Sequence, residues 1–263
     1  MSNPNDSFSK TMLVVVASCL VCALVVSVAA VSLRPRQLEQ RALDKQRNIL
    51  AAAGIAAPEG RIPEVYHKYI DAKVIDLATG NFVDEVDPNT FDQRKAVKLK
   101  EFAQPVPPEV DIAGVRAISR LASVYIAHDD AGAVSTYVIP IHGQGLWSTM
   151  YAFLAIQPDG VTAKSVVYYD QGETPGLGGE VVNPLWIAQW DGKKLFNDQG
   201  EVALTVLKST ADPSDPNFAY QIDGLAGATL TSKGVHNSFV FWLGEYGFGP
   251  FLAKLRQGAN NHG

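Results

Sequence analysis

Between Met12 and Leu33 the chain runs for 22 residues without a charge. The run is mostly Val, Ala and Leu, with Ser18, Cys19, Cys22, Ser27 and Ser32 among them. At a helical rise of about 1.5 Å per residue it reaches roughly 33 Å, enough to cross a bilayer core of about 30 Å. A signal-peptide apolar region is shorter, about 7–15 residues. Val16-Ala-Ser-Cys19 faintly resembles a lipoprotein cleavage box, but the apolar run continues well past it. Every later apolar stretch is broken by Gly, Pro or charge. The expectation is one membrane-spanning helix at 11–33 and one soluble domain.

Charge alone leaves the membrane side open. Lys10 precedes the run, while Arg34, Arg36, Arg41, Lys45 and Arg47 follow it. The positive-inside rule leans toward a cytoplasmic soluble domain, although large domains translocate despite charge. Leu38, Ala42, Leu43, Ile49 and Leu50 recur at helical spacing among polar residues. They predict an amphipathic stalk at 34–57, ended by Gly54 and Pro58. Both cysteines lie in the span, so the soluble part has no disulfide, a pattern compatible with either compartment.

Short alternating runs dominate the rest. Residues 61–75 read as a short helix entering a strand. Ser123–Ala127 and Ser135–Ile141 flank the turn Asp129-Asp-Ala-Gly132 and read as a hairpin. Met150–Ile156, Lys164–Tyr169 and Val202–Lys208 read as further strands. Trp186–Trp190, Ser232–Glu245 and Phe251–Leu255 read as helices. The Pro-rich 104–108 suggests an internal break between a first part at 58–108 and the main part at 109–263. Hairpins first and helices late predict an α+β fold with a largely antiparallel sheet and flanking helices.

Three Gly-containing segments carry the chemical signal: His142–Ser148, Gln171–Gly179 and Asp223–Ser232. Glycine lets backbone approach a ligand closely. Trp147, Glu173, Thr174 and Thr229 lie among these glycines, the parts of a site for a flat, phosphorylated ligand. Thr231 or Ser232 is a natural N-cap, which places Thr229 just before a helix N-terminus. Such an end favours an anion without a basic pocket. No Walker loop, dinucleotide fingerprint, nucleophile elbow or His-based metal spacing occurs. With a net charge of -5 and no Lys/Arg-rich run, no nucleic-acid partner is expected.

In these segments the chain resembles the C subunit of the bacterial Na+-translocating NADH:quinone oxidoreductase, whose FMN-binding domain is shared with the G subunit of the Rnf-type electron-transport complex. Asp223-Gly-Leu-Ala-Gly-Ala-Thr229 is similar to the flavinylation signature. Glu173-Thr-Pro-Gly-Leu-Gly178 is similar to a second hallmark, and Gly143-Gln-Gly-Leu-Trp-Ser148 favours the quinone-reductase family over its Rnf relative. The resemblance implies covalent FMN, joined by a phosphoester to Thr229 by a separate flavin transferase. It also implies that the flavin relays electrons within a sodium-pumping NADH:ubiquinone reductase. Trp147, Glu173, Thr174 and Leu177 would line the flavin, with Gly176, Gly178, Asp223, Gly227, Ala228, Leu230 and Thr231 completing the site. The implied partners are the other subunits of the complex, the transferase and the membrane. The implied location is the bacterial inner membrane, with a cytoplasmic tail at 1–10 and a periplasmic soluble domain. Two positions depart from the family pattern: Ala226, where Ser or Thr is usual, and Gln171, where His is frequent. The alternatives are the Rnf-type relative and a non-redox, pilin-like scaffold. Pilins carry an acidic residue within the apolar helix, and none occurs between Met12 and Leu33.

Overall fold

The computed structural model describes residues 8–260. Residues 1–7 of the expected tail, and His262, lie outside that range. Met1–Lys45 and Gln46–Gly263 form two compact units. The uncharged run and the amphipathic stretch after it belong to one helix, α1 (Phe8–Ala53). Pro35 lies inside it and offers the preceding turn no N–H. By length and composition α1 is able to cross a membrane, and its apolar positions at 12–33 are exposed.

The second unit begins with the last turns of α1. Gly54 takes a left-handed φ of 73°. Its N–H donates to Ala51 and that of Ile55 to Leu50, a closure that satisfies carbonyls at the helix end. Lys164 Nζ donates to the Ala53 carbonyl at 2.8 Å. Helix α2 (Ile62–Tyr69) then runs directly into β1 (Ile70–Asp76). The next elements are β2 (Asn81–Phe82), α3 (Gln93–Ala96), β3 (Ala103–Pro105) and β4 (Ala117–Ser119). Four longer strands follow: β5 (Leu121–His128), β6 (Val134–Gln144), β7 (Thr149–Ile156) and β8 (Ala163–Asp170). The chain closes with α4 (Pro184–Ile187), β9 (Thr205–Val206), β10 (Gln221–Ile222), α5 (Thr229–Leu243) and α6 (Gly249–Asn260).

The main sheet has six strands in the order β2-β1-β5-β6-β7-β8, and every pairing in it is antiparallel. Strand residues alternate between faces. On one face Ala122, Val124, Ile139, Ile141, Ala152 and Leu154 pack against Val235, Phe239 and Trp242 of α5. On the other, Tyr125, Ala127, Val138, Phe153 and Ala155 pack against Ile49 and Leu50 of α1 and Ile62 and Tyr66 of α2. Both faces of β5 are covered, so seven of its eight residues are buried.

Four sequence expectations change. The segment at 104–108 does not separate two units, because β1 before it pairs along its whole length with β5 after it. Residues 202–208 form only a two-residue strand, paired in parallel with β10. This region is held instead by side chains reaching backbone, such as Lys193 Nζ on the Phe218 carbonyl. The last helix is longer than 251–255. Finally, α5 begins at Thr229, with Ala228 as its N-cap and no side-chain cap.

Candidate functional site

The three Gly-containing segments meet at one end of the sheet. The first joins β6 to β7, the second leaves β8, and the third leaves β10 and enters α5. One carboxylate joins them. Glu173 is 4% exposed. Its Oε1 accepts from the N–H groups of Trp147 and Ser148, at 2.9 and 3.0 Å, and from Ser148 Oγ at 3.3 Å. Its Oε2 accepts from Leu146 N–H at 3.1 Å and Thr231 Oγ1 at 2.7 Å. Burial pushes this carboxyl upward, but the hydrogen bonds from Thr231, Trp147, Ser148 and Leu146 outweigh it and hold the group below its usual range. Glu173 is therefore an ionised clamp near neutral pH.

The glycines show why the clamp closes. A Cβ on Gly178 would lie 2.5 Å from Thr231 Oγ1 and 2.9 Å from Glu173 Oε2. A Cβ on Gly145 would lie 2.6 Å from Glu173 Oε1. Gly234, inside α5, would collide with the Gln144 carbonyl if it carried a side chain, so the helix rides directly on the end of β6. Gln171 accepts from the Glu173 N–H at 2.7 Å and so fixes the backbone that presents the clamp.

The third segment turns sharply. Ala228 N–H donates to Leu225 at 3.0 Å, and Gly227 takes the left-handed φ of 70° at the turn's third position. Ala226 is exposed beside it, so the turn does not depend on a hydroxyl there. Asp223 serves the same loop: it accepts from Ala211 N–H at 2.7 Å, its N–H donates to Gln189, and its carbonyl accepts from Trp186 Nε1. Three hydroxyls stand at the start of α5. Thr231 is 1% exposed and engaged by Glu173. Ser232 is buried, donates to the Ala228 carbonyl and accepts from Leu225 N–H. Thr229 is exposed, and its hydroxyl has no partner among the described residues. The N–H groups of Thr229, Leu230 and Thr231 likewise find no acceptor among the described residues, as the first turn of an uncapped helix dictates.

Exposed apolar side chains lie on the segments that meet here and on the stretch that follows the second of them. Trp147 is 70% exposed, and Leu146, Leu177, Val182, Leu185 and Leu230 are exposed as well. Leu177 Cδ2 lies 3.0 Å from where a Cβ on Gly227 would stand, so the second segment touches the signature turn. Thr174 and Gly176 are exposed; the Thr174 carbonyl shapes the loop by accepting from Leu177 and Gly179. Sequence reasoning did not single out Gly145, Ser148, Gln189 or Gly234 as site residues. Gly234 leaves a signal, a glycine within a helical pattern. The contacts of Ser148 and Gln189 leave none.

Residues 145–244, which contain all of these groups except Gln144, match a family model described as an FMN-binding domain. The chain is 50% identical to the C subunit of the Na+-translocating NADH-quinone reductase of Yersinia pestis, with 98% of this chain and 97% of that one covered. It is 48% identical to the same subunit of Vibrio alginolyticus over 99% of this chain and all of that one. The chain belongs to this NqrC family. Family membership makes it a subunit of an oxidoreductase complex. Its fold also agrees with solved NqrC structures. The crystal structure of Shewanella oneidensis NqrC superimposes with a TM-score of 0.77 at 33% identity, covering 83% of this chain and 99% of that one. The corresponding structure from Parabacteroides distasonis gives 0.65 at 27% identity, covering 84% and 96%.

The FMN-binding assignment fits the donor set. A phosphate needs N–H groups, and the start of α5 supplies them. A flat ring system needs apolar faces, and the three segments supply the exposed side chains of Trp147, Leu177 and Leu230.

Proposed function

We propose that this member of the NqrC family is a membrane-anchored electron-transfer protein that carries FMN as a phosphoester on Thr229. The observation that carries the reading is the state of the three hydroxyls at the start of α5. Thr231 and Ser232 are buried and engaged, whereas Thr229 is exposed, unpaired and beside free N–H groups. A flavin transferase adds the group. Thr229 Oγ forms a bond to the flavin-side phosphorus of FAD, the phosphorus–oxygen bond to AMP breaks, and the transferase takes the hydroxyl proton. No base near Thr229 is required of this chain.

Bound FMN supplies the one-electron relay between the redox centres of partner subunits. The chain's own groups do the rest. The α5 N-terminus would hold the phosphate, and the Glu173 clamp fixes the loop that carries Trp147. Leu177 and Leu230, both exposed on the adjoining segments, would offer apolar surface to the ring. Sodium translocation belongs to the assembled complex; residues 12–33 contain no acidic side chain to bind an ion within the bilayer. On this reading the soluble unit lies in the periplasm, against the lean of the charges that follow the span.

The test is Thr229→Ala in the full-length chain, co-expressed with the transferase. We expect complete loss of covalent flavin by intact mass and in-gel fluorescence, with thermal unfolding unchanged within a few degrees. Retention of one covalent FMN in that variant would refute the assignment.

A further inference from the structure

Lys233 stands one helical turn beyond Thr229 on α5, and both residues are exposed while Thr231, Ser232, Gly234 and Val235 are buried. Residues four apart on a helix are neighbours, with Cβ atoms about 5–6 Å apart. Side chains on a helix lean toward its N-terminus, so Lys233 covers the surface over the turn that begins at Thr229. The ammonium has no hydrogen bond or ion pair among the described residues. That placement is unfavourable in itself: it is a cation near the positive end of the helix dipole, and the first turn contains no acidic residue to offset it.

Building on the Thr229 reading, we propose that Lys233 is the cationic partner of the flavin phosphate. A phosphodiester on Thr229 Oγ carries one negative charge. The N–H groups at the start of α5 and the exposed Lys233 ammonium would both be donors to it. The charge-assisted hydrogen bond removes both the unpaired cation and the uncapped helix end. It would also limit rotation about the Thr229 side chain. Lys233 acts as a positioning residue; electron transfer does not pass through it.

The test uses the full-length chain, flavinylated by the transferase, as wild type and as Lys233→Gln, Lys233→Arg and Thr229→Ala. Phosphorus NMR reads the phosphodiester directly, and thermal unfolding with and without the flavin reads the stabilisation that attachment brings. In Lys233→Gln we expect a displaced phosphorus resonance, and a gain in Tm on flavinylation that is smaller by a few degrees and nearly independent of salt. Wild type should lose that part of its gain as salt rises, because the pair lies at the surface. Lys233→Arg should restore both readouts. Identical resonances and identical salt-dependent gains in wild type and Lys233→Gln would overturn the role of Lys233 and leave Thr229 as the acceptor. Covalent flavin persisting in Thr229→Ala would overturn the reading beneath it as well.

Discussion

The face of the sheet beneath α1 and α2 and the loop cluster around Glu173 are both buried, but opposite means hold them. On the sheet face, Ile49, Leu50, Ile62, Tyr66, Tyr125 and Phe153 share one apolar cluster. The attraction there is non-directional and spread over many atoms. In the loop cluster a single carboxylate gathers three backbone N–H groups and two hydroxyls. Hydrogen bonds are directional, so this arrangement fixes positions that packing leaves adjustable. One region sets how stable the unit is, and the other sets where its chemical groups stand.

Three substitutions separate the two roles. The largest effect belongs to Leu50→Ala. Leu50 is 1% exposed, and truncation in such a site destabilises by about 2–5 kcal/mol. Urea unfolding should show a lower midpoint for the whole soluble unit, while covalent flavin per folded molecule stays at the wild-type level. Loss of flavin in a variant that remains folded would dissolve the distinction. Glu173→Ala comes second. It leaves the Leu146, Trp147 and Ser148 N–H groups and the Thr231 hydroxyl without their acceptor, at about 1–3 kcal/mol. Hydrogen exchange should accelerate at 146–148 while the amides of β5 to β7 stay protected, and flavin attachment should fall. Uniform acceleration would mean that the clamp is simply part of the core.

The smallest effect is acid sensitivity at His142, near the end of β6. Its ring stacks on Tyr151 and contacts Trp242. Burial, aided by Arg94 and opposed by Asp111, pushes its pKa down to about 4. The unfolded chain, with an ordinary histidine near 6.5, binds the proton more readily. This contribution is therefore full well above pH 6.5 and declines as the pH falls through 6.5 toward 4, by roughly 1 kcal/mol between about pH 7.5 and 6. Chemical denaturation across that window should show the decline, and His142→Phe should flatten it while preserving the stack. An unchanged slope in that variant would assign the acid sensitivity elsewhere.

The same contrast explains what the sequence discloses. Packing follows periodicity, and periodicity is local. Strands β5 to β8, the hairpin at Asp129–Gly132 and the helical pattern of α5 are all legible from alternation and turn residues. The clamp is not, because Glu173 meets partners 25 to 27 residues before it and 58 after it with no pattern linking them. The helix start shows the conflict directly. Thr231 and Ser232 have the chemistry of N-caps, but Glu173 and the Leu225–Ala228 turn engage them, so the helix begins earlier and bare. Residues 193–222 mislead for a related reason: their backbone is tethered by Lys193 and Asp223 rather than by a long strand ladder.

Thr231 and Glu173 lie 58 residues apart, and the clamp also needs the β6–β7 turn in place. Contacts of such separation repay their loop-closure entropy only once the chain between them is in place. A nascent or misfolded chain therefore has Thr229 in its sequence without the folded surroundings described here. On the reading proposed above, a transferase that recognised this arrangement would pass over chains in which it has yet to form.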